Sequence, residues 1–170
     1  MSKPYVYLVH FTVDKEESFG LWTERDEGDV FLKSKEAHEP ISFKSKNEAI
    51  DFSNKNELTI SSDNVLQINL TNLERIINPI EAHKRINFNS KECSEILDFF
   101  NISQDLLRSL NVSLHVNDNL NEILIKLFSG ANIPPTGGNS NGVSLNGDDG
   151  VILKSYFFQY QKYVRMAFLK

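Results

Sequence analysis

Runs rich in β-branched and aromatic residues in the first part of the chain give way to apolar residues recurring with a period near 3.6 in the last part, and this change narrows the folds open to it. Leu153, Phe157, Tyr160, Val164 and Phe168 follow one another at spacings of four, three, four and four. That spacing puts five large apolar side chains on one stripe of an amphipathic helix. Asp148 and Asp149 suit the positive end of its dipole. At the other extreme, Tyr5-Val6-Tyr7-Leu8-Val9-His10-Phe11-Thr12 is β-branched and aromatic on both alternate faces, the pattern of a central strand.

Between these limits the elements are segregated. Ser18 to Glu24 and Asp29 to Lys33 read as strands, joined through Arg25-Asp26-Glu27-Gly28, where Gly28 can take positive φ. Ile41 to Phe43 reads as a short strand. Ser45 and Glu48 form a capping box before Ala49, Ile50 and Phe52. Glu57 to Ile60 and Val65 to Leu70 read as two separate strands. Thr71 with Glu74 reads as a second capping box, and Pro79 stops that helix by Asn78. Beyond about residue 88 the pattern is helical. Ser90 caps a helix through Ile96, Leu97, Phe99 and Phe100; Ser103 to Leu110 is another; Asn119 to Phe128 turns Leu120, Ile123, Leu124, Leu127 and Phe128 inward. Strands followed by helices predict an α+β fold. Its N-terminal part is a mostly antiparallel sheet with short helices, and the C-terminal helices pack on one sheet face. The expectation is one domain over 1–170, strand-rich over 1–80 and helix-rich over 88–170. The Gly- and Asn-rich stretch 129–150 reads as a mobile loop.

Length and composition bound the chemistry. A chain of 170 residues that is 40% hydrophobic buries enough surface to fold without a disulfide or structural metal. The lone Cys93 forms neither an internal disulfide nor a cysteine-based zinc site. It stands between Glu92 and Glu95, which oppose thiolate formation. His10, His38, His83 and His115 lack metal-ligand spacing, and Gly137 to Gly150 contains no P-loop lysine. No cofactor is expected. The absence of an apolar export segment or membrane-length run predicts a cytoplasmic protein with no membrane partner.

The net charge of −5 has a local origin. Residues 14–29 carry seven of the 23 acids (Asp14, Glu16, Glu17, Glu24, Asp26, Glu27 and Asp29) and two of the 18 bases, leaving 16 of each elsewhere. The same segment holds the only tryptophan, Trp22. An overall acidic chain without a basic stripe argues against nucleic-acid binding. Acidic charge around a tryptophan has the chemistry of a protein-binding surface; the competing interpretation is a solvated hairpin with a core tryptophan.

Two further stretches carry a family likeness: Phe43-Lys44-Ser45-Lys46-Asn47-Glu48-Ala49-Ile50-Asp51-Phe52, and Cys93-Ser94-Glu95-Ile96-Leu97-Asp98-Phe99-Phe100 continuing through Asp105-Leu106-Leu107 to Leu127-Phe128-Ser129-Gly130-Ala131-Asn132-Ile133-Pro134. With these the chain resembles small bacterial immunity proteins of toxin–immunity systems, including contact-dependent growth inhibition. The resemblance implies a cytoplasmic, non-enzymatic antitoxin-like protein that neutralises a cognate toxin domain, frequently a basic nuclease. The binding candidates are then Asp14, Glu16, Glu17, Trp22, Glu24, Asp26, Glu27 and Asp29. Two alternatives stay open. Val9-His10-Phe11-Thr12 resembles the His-containing first strand of ADP-ribosyltransferases, which implies an enzyme with its site near His10. A structural subunit would pack the long C-terminal helix on a copy of itself.

Overall fold

The computed structural model describes residues 4–24, 28–114, 118–132 and 142–169, with the backbone alone at 62–64. In chain order the elements are β1 (Tyr5–Val13), β2 (Glu16–Thr23), β3 (Val30–Phe31), β4 (Ser42–Phe43), α1 (Lys46–Lys55), β5 (Thr59–Asn69), α2 (Leu70–Ile77), β6 (Ile86–Asn89), α3 (Ser90–Ser109), α4 (Asp118–Asn132), β7 (Gly142–Leu145) and α5 (Gly147–Phe168). This is an α+β fold. The chain forms two compact units, each assembled from separated stretches.

The first unit comprises Met1–Thr71, Ser103–Ser113 and Gln161–Lys170. Its sheet runs β3-β2-β1-β5, with β4 also paired to β2. β1 is interior, as its apolar character requires. It pairs antiparallel with β2, Leu8 opposite Leu21 and Tyr7 opposite Trp22. With β5 it pairs in parallel, so the sheet is mixed. The period of two sorts the side chains by face. One face packs Val6, Leu8, Phe19, Leu21 and Phe43 against Ala49 of α1. On the other, the Phe11 ring stacks on Phe168 at 4.4 Å, and Phe31 meets Phe168 at 5.0 Å. The expected cover of one sheet face by the C-terminal helix is met at Phe168. Gly20 makes room for it: a Cβ there would lie 2.8 Å from the Phe168 ring and 2.9 Å from Phe31.

The second unit comprises Asn72–Ile102 and Leu114–Tyr160. Leu120, Ile123 and Leu127 of α4 are buried, as are Ile96, Phe99 and Phe100 of α3 and Leu153, Phe157 and Tyr160 of α5. Phe99 meets Phe157 at 4.9 Å, and Phe100 meets Tyr160 at 5.3 Å in an edge-on pair. A two-stranded antiparallel sheet, β6 with β7, sets Phe88 opposite Val143.

Several local expectations need correction. The two strands read over 57–70 are one strand, β5, whose register jumps between Val6 opposite Ile60 and Leu8 opposite Val65. The polar run Ser61-Ser62-Asp63-Asn64 looked like a break because it is the irregular part of that ladder. Thr71 does not cap α2, which begins at Leu70; its hydroxyl accepts from the Asp14 N–H at 2.6 Å and donates to Asp14 Oδ1 at 3.2 Å. The cap of α3 is Asn89 rather than Ser90. Asn89 Oδ1 accepts from the Glu92 N–H, and Glu92 Oε2 accepts from the Asn89 N–H, both at 2.9 Å. The helical stretches read around Ser90 and Ser103 are one helix, α3. Phe128 faces outward, 61% exposed. Within 129–150, read from the sequence as a mobile loop, α4 continues to Asn132, β7 occupies Gly142–Leu145, and α5 starts at Gly147. Residues 133–141 lie outside the described residues. By contrast the Ser45 cap is as expected, its Oγ accepting from the Glu48 N–H at 3.2 Å.

Candidate protein-binding surface

The acidic residues of the first hairpin belong to two groups, because the strand that carries them is long. β1 and β2 meet at a tight turn, with Val13 opposite Glu16 and Asp14 at φ 50°. Aspartate tolerates that left-handed conformation better than most side chains. Asp14, Lys15, Glu16 and Glu17 are all exposed here. The strand then buries Ser18, Phe19, Gly20 and Leu21 before reaching Trp22 and Glu24. Eight residues at about 3.3 Å each put Glu24 about 26 Å from Glu16. Asp14, Glu16 and Glu17 therefore share one end, while Trp22, Glu24 and Asp29 share the other. Asp26 and Glu27 lie outside the described residues.

At the turn end, His10 extends the group. Its ring stacks on Phe19 at 4.4 Å, nearly parallel, and its Nε2 stands 3.1 Å from Glu17 Oε2. The side chain is 17% exposed, so His10 is neither sealed in the core nor free on the surface.

At the far end, Trp22 is held by two partners. Its Nε1 donates to Asp105 Oδ2 at 2.9 Å, and the Tyr7 ring lies 5.1 Å away, tilted by 57°. Arg108 Nη1 donates to Asp105 Oδ1 at 2.7 Å and to the Asp29 carbonyl at 2.8 Å. Burial pushes the Asp105 carboxyl above the usual aspartate value; the hydrogen bonds from Trp22 and Arg108 pull it back in part. The Tyr7 phenol is raised too, first by the charge of Glu24, then by desolvation, a hydrogen bond with Glu24 and the charge of Asp29. Tyr5 follows on the same face of β1 and is 62% exposed. Tyr5, Tyr7, Trp22, Glu24 and Asp29 thus form an aromatic surface edged with carboxylates.

Sequence reading missed Asp105 and Arg108, which lie on α3 about eighty residues after Trp22. Asp105 and Arg108 are three apart, one turn of α3, and so share a face; nothing local ties that face to Trp22. Tyr5 and Tyr7 were visible only as strand residues. Elsewhere, Cys93 is buried and desolvation raises its thiol, the opposite of an activated nucleophile. Among the described residues no three His, Cys, Asp or Glu side chains are grouped to hold a metal ion, and no helix is long and apolar enough to cross a membrane.

No protein family and no curated protein matches the chain. Among solved structures it is similar to the crystal structure of the SatS C-terminal domain in complex with bromine. The TM-score is 0.51 at 9% identity, covering 96% of this chain and 92% of that one. At that identity the likeness bears on the fold alone.

Proposed function

We propose that the protein is a binding module of the immunity or antitoxin kind, which neutralises a cognate basic toxin domain through the surface formed by Tyr5, Tyr7, Trp22, Glu24 and Asp29. The observation that carries this reading is the Tyr7–Trp22 ring pair, fixed by Asp105 and bordered by Glu24. Tyrosine and tryptophan supply most interface energy when they are held rigid and flanked by polar groups. Carboxylates around them accelerate capture of a basic partner. The exposed turn with Asp14, Glu16 and Glu17 adds to the field but lies too far away to join the same contact. The reading carries with it a cytoplasmic site of action and no catalytic step.

The test is co-expression with the product of the adjacent gene in the same operon. The expected result is a one-to-one complex that loosens with salt. Glu24→Lys with Asp29→Lys weakens it by about tenfold or more, whereas Glu16→Lys leaves it nearly unchanged. A complex indifferent to the first pair, or no complex at all, overturns the reading.

A second reading, an ADP-ribosyltransferase-like enzyme with its site near His10, is favoured by one observation: the imidazole is reachable and paired with Glu17. Transfer activity abolished by His10→Ala would support it, and activity unaffected by that change would remove it.

A further inference from the structure

In the second unit, α4 carries apolar side chains on two opposite sides. Leu120, Ile123, Leu127 and Gly130 turn inward and are buried. On the other side Ile125 is 65% exposed and Phe128 61%. Asn121 and Asn132 are exposed as well. Asn121, Ile125, Phe128 and Asn132 follow one another at spacings of four, three and four, so they share one stripe of the helix. A lone exposed apolar side chain is ordinary, whereas neighbouring ones make a patch. None of the four is charged. Lys126 is drawn away to Asp149, at 2.7 Å, and Asp118 stands one turn outside the stripe, at the helix start.

The stripe has the same chemistry read from either end: amide, large apolar, large apolar, amide. Laid antiparallel on a copy of itself, about a two-fold axis midway between Ile125 and Phe128, it sets Ile125 against Phe128 of the second copy. Asn121 then meets Asn132 of that copy, and a side-chain amide both donates and accepts. Self-complementarity of this kind is what a two-fold contact requires. Charge agrees with the antiparallel sense. It keeps the two Asp118 carboxylates about 25 Å apart along the helices, where a parallel pair would bring them together. The outward stripe of α5 lacks the property. There Val151, Ser155, Phe158 and Lys162 are exposed at the same spacings, and reversal would set Val151 against a lysine.

We propose that the outward stripe of α4 is a homodimer contact, covered by the same stripe of a second copy running antiparallel. From Asn121 to Asn132 the stripe is about 16 Å long. Two large side chains from each copy fall well short of the roughly 800 Å² per partner of a standard stable interface. The dimer is therefore weak, with a dissociation constant on the order of 0.1 mM. Each copy carries a net charge of −5 that opposes approach, so salt tightens the dimer. Salt has the opposite effect on a complex made through the carboxylates around Trp22, and the two associations separate on that basis.

Sedimentation of the full chain from about 10 µM to about 1 mM tests this. The expected result is a monomer–dimer exchange that strengthens with salt. Ile125→Glu and Phe128→Glu each weaken it by about tenfold or more with the circular dichroism unchanged, while Phe158→Glu leaves it as it is. The antiparallel sense is read by mixing Ile125→Cys chains with Phe128→Cys chains and adding a short bismaleimide. Cross-links between the two kinds of chain outnumber those within either kind; Cys93 is buried and takes no part. A monomer at every concentration overturns the proposal, as does a dimer indifferent to Ile125→Glu and Phe128→Glu. Cross-links formed preferentially between like chains overturn it too.

Discussion

Asp105 accepts the indole N–H of Trp22 at 2.9 Å, so the only tryptophan in the chain reports on a carboxylate that stands far from it in sequence. Asp105→Ala removes the acceptor of that indole donor and leaves the Arg108 guanidinium with the Asp29 carbonyl. Loss of hydrogen bonds to a half-buried charged group costs about 1–3 kcal/mol. The expected readout is a red-shifted Trp22 emission with a lower urea midpoint. Asp105→Asn keeps one acceptor oxygen, enough for Trp22 or Arg108 but not for both, and should give an intermediate loss.

Gly20 tests the packing of the second sheet face. Gly20→Ala drives a methyl group against Phe168 and Phe31. Overpacking of that kind costs about 1–3 kcal/mol. Combining it with Phe168→Leu should give less than the sum of the two single losses, measured by denaturant unfolding in a double-mutant cycle.

Asp98 makes a pH prediction. Burial, then the charge of Glu95, raises its carboxyl above the ordinary value. The folded state therefore holds this proton more tightly than the unfolded chain does. The stability it contributes is fully present below the unfolded value and is lost as pH rises through the raised folded one. At neutral pH the ionised group is a liability. Asp98→Asn should raise Tm at pH 7 by about 1–3 °C and flatten this part of the pH dependence, as followed by thermal melts between pH 3 and pH 7.

The start of α3 discriminates between two neighbouring residues. Asn89→Ala removes the reciprocal cap with Glu92 and should cost about 0.5–2 kcal/mol. Ser90→Ala removes one hydrogen bond, from its hydroxyl to the Ala131 carbonyl at 2.9 Å, and should cost about 0.5–1.5 kcal/mol. Hydrogen exchange over the first turn of α3 separates the two, since only the Asn89 change frays the helix start.

Elements with a strong internal period were legible. The stripe Leu153, Phe157, Tyr160, Val164 and Phe168 is buried throughout, and β1 is the interior strand its composition called for. The Ser45 cap was readable because donor and acceptor are neighbours in sequence. What escaped depended on distant partners. Thr71 looks like a cap until Asp14 takes its hydroxyl, and β6 and β7 are four residues each, too short for alternation to show. Gly142 sits at φ 153°, and a Cβ there would collide with Phe88 across that pair. This glycine was read as loop composition when it marks a close approach of backbones. For the candidate surface, the charge and the tryptophan were visible. The length of β2, which divides the carboxylates, was not.

The stacking of Phe11 on Phe168 has a consequence for synthesis. The two rings are separated by almost the whole described sequence. A ribosome delivers β1, β2 and β5 long before it delivers Phe168, so one apolar side of a finished sheet waits in solvent while most of α3, α4 and α5 is made. Exposed apolar sheet surface on a nascent chain is where aggregation and chaperone capture begin. The newly made chain is thus at its most adhesive late in translation, and the ring of Phe168 closes that window.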